Sequence, residues 1–447
     1  MGRIPRTIFI GLSWLAGSGA AFGQAADKPF VPFQQFLQEV RTARSETFER
    51  TKEARVQDEV EFGKMRQHIL SLYEGVDAAH SFLLDGQVFD CVPVAQQPSV
   101  RQLGLDKVEL EAPPPALVGT DQAPLEPGLE RAVSPLTLGL EDAFGNAVSC
   151  TEGTIPLRRI TLQEMTRFRT LERFFHKTPD DVNGPSDNPA PKDLVVTHKY
   201  AHAYQVVKNY GGSSWLSLWS PSVNTAAGQI FSLAQQWYVG GKGKKTQTVE
   251  GGWQVYPAKY NTNKAAFFIY WTADNYDQTG CYNLDCAGFV QTNSNWALGG
   301  IWASYSERGG AQLAFQMQWQ LVKGRWWLYT QGGSGYQAIG YYPVSLYRGG
   351  RLAHFADRVD YGGETVGVDQ WPPMGSGAFA SEGSGQAAYQ THIFYIKKPT
   401  ATGGTWTSLN VSQPSPSCYR LLFAPASVAG EEYGPYFYFG GPGGDSC

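Results

Sequence analysis

Carboxylates are scarce in the second part of this chain. Residues 196–447 hold 13 Asp and Glu against 16 Lys and Arg, a balance of +3, whereas residues 1–195 hold 27 against 20, a balance of −7. Few carboxylates mean few groups that must take up protons against folding as pH drops, so this part suits work in acid. Neither part is basic enough to track nucleic acid. After the first residues no apolar run is long enough to cross a bilayer, which leaves no membrane partner. An unpaired cysteine is also missing, because the six cysteines of an exported chain pair off and leave no catalytic thiol. No second Cys or His pair stands at ligand spacing from Cys281 and Cys286, which disfavours zinc. His198 and His202 in "HKYAH" have the spacing of a helical metal pair but lack the intervening Glu. Their segment reads as extended, so they are taken as surface histidines, with no metal and no cofactor. Gly-Ser-Gly runs occur in "GGSGYQ" and "GSGAFASEGSGQ" without the strand-to-helix turn that a serine nucleophile requires.

The chain opens on a secretory pattern. Arg3 and Arg6 precede the apolar stretch Ile8 to Ala16, and small residues near Ala21, Gly23 and Ala25 offer a cleavage site. Residues 1–25 are therefore predicted to be a signal peptide, leaving a soluble protein exported outside the cell or to a periplasm. Six cysteines allow 15 pairings, among which loop closure suggests Cys91–Cys150, Cys281–Cys286 and Cys418–Cys447. Residues 29–80 mix helix formers with apolar positions three and four apart, and short strand-like pieces follow. Residues 26–176 thus read as an α+β domain. The polar, Pro-rich run 177–195 reads as an exposed linker containing Pro185, Pro189 and Pro191. Beyond it lie about ten short runs rich in aromatic and β-branched residues, separated by turn clusters. Residues 196–447 are therefore predicted to form an all-β antiparallel sandwich or barrel. Signal, helical segment, linker and β-domain is the order of a secreted zymogen, and equally of a two-domain binding protein.

Most carboxylates of the β-domain fall in turns. Asp274, Asp277 and Asp285 surround Cys281, and Glu431, Glu432 and Asp445 lie near the end, all read as solvated. Glu250 and Glu364 differ because each lies inside a strand-like run, "TVEGGWQV" and "VDYGGETVGV". Alternation puts Thr248, Glu250, Gly252 and Gln254 on one face and Trp253 on the other; Glu364 shares its face with Gly362. Solvated outer-face glutamates, or partners of Lys or Arg, are the plain readings. Brought together in a groove, the two carboxyls cannot both ionise easily and would share a proton in acid. One could then draw a proton from water while the other supports the carbonyl or leaving nitrogen. A glycosidase would also want two carboxylates.

The blocks "GQVFDCV", "TEGTIPLRR", "FSLAQQWY", "QTVEGGWQVYP", "FFIYWTADNYDQTGCYNLDCAGFVQT", "GRWWL", "IGYYPVSL", "YGGE" and "MGSG" stand in the order found in the neprosin family. The chain resembles that family of glutamic peptidases, secreted proenzymes that cleave after proline. The resemblance implies a β-sandwich with a concave substrate groove and the catalytic pair Glu250 and Glu364. It also implies disulfides at Cys281–Cys286 and Cys418–Cys447. Gln254, Gln235 and Tyr270 are candidates for positioning water or the substrate carbonyl. Proline-containing peptides are the expected substrate, the protein's own pro-domain the expected inhibitor, and a monomer the expected state. Activation is expected by self-cleavage near Pro185, Pro189 and Pro191. The rival is a catalytically silent β-sandwich that binds peptide or glycan in an aromatic groove.

Overall fold

The computed structural model describes residues 30–49, 51, 53–105, 108, 129–131, 134–136, 140–177, 196–332, 335–430, 434–445 and 447. The expected signal peptide, the linker beyond Lys177 with its three prolines, and Glu431 and Glu432 lie outside them.

The helical pattern near the start resolves into helices Phe33–Thr42, Glu46–Glu49 and Glu59–Leu72. It is interrupted because the amides of Arg55 and Val56 bond to the Thr166 carbonyl and that of Gln57 to Arg169. Tertiary partners for the backbone outweigh local helix propensity there. Asp58 then starts the last helix by accepting from the Glu61 amide at 2.9 Å. These helices pack through Phe33, Phe36, Val40, Phe62 and Ile69. Beside them strands His80–Leu84, Gln87–Pro93 and Thr154–Arg158 form an antiparallel sheet, held by the Cys91–Cys150 disulfide. The segment is α+β, as its sequence predicts.

Residues 197–440 carry the two large sheets. In the seven-stranded sheet the order is Cys281–Tyr282, Ala266–Thr272, Gln247–Val255, Gln229–Gly240, Ala356–Gly367, Thr197–Asn209 and Asn410–Ser412, antiparallel throughout. The ten-stranded sheet has Gln312–Val322 and Gly211–Ser217 near its middle. Strand Leu129–Arg131, from the first domain, joins it in parallel beside Gln312–Ala314. Trp253 points between the sheets, wholly buried, and its indole donates to the Ser217 carbonyl at 2.8 Å. Full burial of a large side chain contributes about 1.5–3 kcal/mol, so this aromatic-rich layer dominates the stability of the sandwich. Cys281–Cys286 and Cys418–Cys447 are both disulfides. The sequence expectation of an antiparallel β-sandwich behind an α+β segment holds.

The N-terminal α+β segment meets residues 285–299. Gln97 bonds both the amide and carbonyl of Gln291, Ser99 donates to the Phe289 carbonyl, and Gln87 to that of Gly299. Among the described residues no helix is long and apolar enough to cross a membrane.

Candidate active site

Topology brings together what sequence separates. The Glu250 strand (Gln247–Val255) and the Glu364 strand (Ala356–Gly367) flank the same central strand, Gln229–Gly240. Register then sets the floor between the two glutamates: Gln235 pairs with Gly252 on one side and Gly362 on the other. Both glycines are required by backbone approach within the sheet. A Cβ on Gly252 would come 2.0 Å from the Ala234 carbonyl oxygen, and one on Gly362, at φ 145°, 2.5 Å from that of Ala201. A row of glycine, glutamine, glycine therefore runs between the carboxyls with one side chain on it.

Each carboxyl is anchored through one oxygen. Glu250 Oε1 accepts from Tyr276 Oη at 2.7 Å and Thr248 Oγ1 at 2.8 Å. Glu364 Oε1 lies 2.6 Å from His198 Nδ1 and accepts from Tyr200 Oη at 3.2 Å. The remaining oxygens face a common point. Glu250 Oε2 lies 2.6 Å and Glu364 Oε2 2.9 Å from the amine of Lys177, which also donates to Gln235 Oε1 at 2.9 Å. Two oxygens that bond one nitrogen are within two hydrogen-bond lengths of each other. Glu250 is wholly buried and Glu364 is 2% exposed.

Burial alone would lower the Lys177 pKa, but the two carboxylates outweigh it and raise it. Burial pushes Glu364 the opposite way, yet the Lys177 ammonium and the His198 hydrogen bond prevail and hold it at about 2. Burial first, and then the nearby carboxylates, keep the Tyr276 and Tyr200 phenols protonated far above their ordinary range. Such a site is a matched pair of carboxyls, each with one oxygen fixed and one available, holding a cation where a small polar reactant would fit. Among the described residues no group of three His, Cys, Asp or Glu side chains converges on a metal position.

Gln235 sits at the centre of the site. Tyr270 pairs with Glu250 across the strands and stacks on Tyr276. Gln254 shares the Glu250 face but bonds to Tyr282 and Tyr260, away from the carboxyls. The two histidines read as surface groups are half-buried, and each meets a carboxylate: His198 that of Glu364, His202 that of Asp360 at 3.0 Å. A strand, unlike a helix, turns residues 198, 200, 202 and 204 to one face, which here is the face that carries Glu364. Asp285, read as solvated, is 2% exposed and pairs with Lys259 at 2.7 Å under the first domain. Lys177, the first residue of the expected linker, is 4% exposed. Thr248, Tyr276, Tyr200 and Lys177 were not singled out in the sequence. Only Thr248 carried a signal, the alternation that shares its face with Glu250.

Residues 228–442 match the neprosin family model. Solved structures give weaker likenesses, each covering 56% of this chain and 100% of the other. They are scytalido-glutamic peptidase with a transition-state analog inhibitor (10% identity, TM-score 0.31) and the same peptidase with a peptide-based transition-state analog (8%, 0.29). A third is SCP-B, a member of the eqolisin family of peptidases, with the tripeptide Ala-Ile-His (7%, 0.27).

Proposed function

We propose that the chain, whose residues 228–442 match the neprosin family model, is the secreted zymogen of a glutamic peptidase. Its mature part is an acid-acting endopeptidase that hydrolyses peptide bonds after proline. The observation that carries this reading is the convergence of Glu250 Oε2 and Glu364 Oε2 on one amine. With the amine gone, two carboxyls so close share a proton. The ionised one takes a proton from water as the water oxygen bonds the substrate carbonyl carbon. As the C–N bond breaks, the leaving nitrogen receives a proton from the other. Trp237 and His202 stack at 5.4 Å beside Gly362 and supply a flat aromatic surface of the kind a proline ring packs on. Secretion is supported by the N-terminal pattern and by three disulfides.

The first domain is then the inhibitor, and Lys177 its working group. An ammonium between the carboxyls takes the place of water and substrate and offsets part of their charge. Product mapping tests the reading. After acid incubation, peptides should be cut on the carboxyl side of proline, and the mature N-terminus should fall within residues 186–192. Cuts indifferent to proline would contradict the specificity.

The pH dependence of release follows from sign. Glu364, depressed to about 2, contributes its ion pair with Lys177 in full above the ordinary carboxylate range, and that contribution is lost progressively as pH falls toward about 2. Acid at pH 3 to 5 therefore weakens the lock through Glu364 only in part, because the open state takes up the proton that the locked state still refuses. Histidines of the first domain respond earlier. His68 Nε2 lies 2.8 Å from the Asp285 carbonyl, its ring edge-on to Phe175. Burial lowers its pKa, aided by the Lys259 ammonium and opposed by Asp285; burial and Arg173 likewise lower that of His176. A histidine depressed on docking favours the docked state above its free pKa of about 6.5, and that contribution is lost as pH falls below it. His68→Gln, which can still meet the carbonyl but cannot titrate, should shift acid activation to lower pH. An unchanged activation midpoint would remove His68 from the device.

A further inference from the structure

Tyr276 and its neighbour Asn275 both hold left-handed backbone, at φ 63° and 62°. Asparagine tolerates this conformation, but for a bulky aromatic residue it is an outlier that the surroundings must enforce. The loop is tied down accordingly. The Asp274 carboxylate accepts from the Thr279 hydroxyl at 2.7 Å and from the amides of Gln278 and Thr279 at 3.1 and 3.2 Å. The Asn275 amide donates to the Thr246 carbonyl at 2.8 Å, and that of Tyr276 to the Thr272 hydroxyl at 3.0 Å. Asn275, Asp277 and Gln278 are exposed, so a solvated turn is what this stretch would otherwise be. The enforced turn instead lays the Tyr276 ring on Tyr270, centroids 6.0 Å apart, and delivers its hydroxyl to Glu250 Oε1.

We propose that Tyr276 is a positioning residue for peptide hydrolysis, pinning Glu250 Oε1 so that Oε2 is the oxygen that exchanges a proton in the groove. The inference rests on the glutamate-pair reading. Tyr276 takes no part in bond making. Its own proton stays on the phenol oxygen, which burial and the Glu250 carboxylate keep from ionising. Thr248, buried on the Glu250 strand, donates to the same oxygen, and the tyrosine is fixed there by ring stacking and by the loop. The strained backbone is thereby linked to the orientation of one carboxyl.

The test uses the full-length chain carrying Lys177→Ala, with the rate on a proline-containing peptide followed across pH. Tyr276→Phe keeps the ring stack and removes one O–H. Its kcat should fall about 10- to 100-fold, as for loss of a hydrogen bond to a charged group, with KM within about twofold of the parent. The acid limb of the pH profile should move to higher pH, because an ionised carboxylate that loses a hydrogen-bond donor is less stabilised. Asp274→Asn should act in the same direction and add nothing on a Tyr276→Phe background, since both work through one hydrogen bond. An unchanged kcat and profile, or a loss confined to KM, would overturn the proposal. A parent whose activity Glu250→Gln abolishes but Tyr276→Phe spares sinks the positioning role alone. A parent with no Glu250-dependent activity sinks the glutamate pair, and this role with it.

Discussion

Glu364→Gln and Glu250→Gln should each lower peptide hydrolysis by the acid-activated protein by at least about a thousandfold. Proton transfer by a positioned group contributes about 10²–10⁴-fold, and groups that act as a unit are lost together. Glutamine keeps the size of each side chain, and its carbonyl can still accept from Tyr276 and Thr248, or from His198 and Tyr200. Shape and anchoring therefore survive while proton exchange does not. The double variant should be little worse than either single one, because half a proton-sharing pair is already silent. Initial rates at pH 3 to 5, with circular dichroism to establish folding, check this. Substantial activity in either single variant would mean that its carboxyl takes no part in the chemistry.

Lys177→Ala should yield an uncut chain that already hydrolyses peptide, whereas the parent stays latent until processed. Removing one partner from a buried ionic cluster costs about 3–5 kcal/mol, because charge is left without compensation. Here two carboxylates would be left buried against each other, so one takes up a proton and docking of the first domain weakens. Lower thermal stability of the full chain and a rise in the pH of activation should accompany the gain in activity. Lys177→Met, which fills the space without a charge, should destabilise docking yet block the groove more than alanine does. The rates are read on protein shown by gel to be uncleaved. A Lys177→Ala chain as latent as its parent would place inhibition elsewhere in the first domain.

The two glutamates were legible because a carboxylate within a β-run is rare in a part of the chain so poor in acids. Their period-2 face and the surrounding blocks of sequence did the rest. What joins them was hidden. The strands that carry them are far apart in sequence, and only their shared neighbour, Gln229–Gly240, makes them a pair. The glycines beside them, Gly252 and Gly362, are required by the backbone of the next strand, which a Cβ at either position would strike. Lys177 was masked by composition, since the polar, Pro-rich run that follows it gives no sign that its first side chain is buried. The segment of His198 and His202 was read as extended but its histidines as surface groups, whereas alternation puts them with Tyr200 on the face that carries Glu364. Asp285 looked like a loop carboxylate, yet it is buried in an ion pair with Lys259, with His68 bonded to its carbonyl. Tyr276 depends on a left-handed backbone that no pattern of residue types announces.

The most direct test of the account compares three full-length, uncleaved chains on one proline-containing peptide at acid pH: Lys177→Ala, and the same change combined with Glu250→Gln or with Glu364→Gln. The lysine variant should be active and both combined variants inactive. A silent lysine variant, or a combined variant that keeps its rate, would contradict a pair of working carboxyls held shut by one amine.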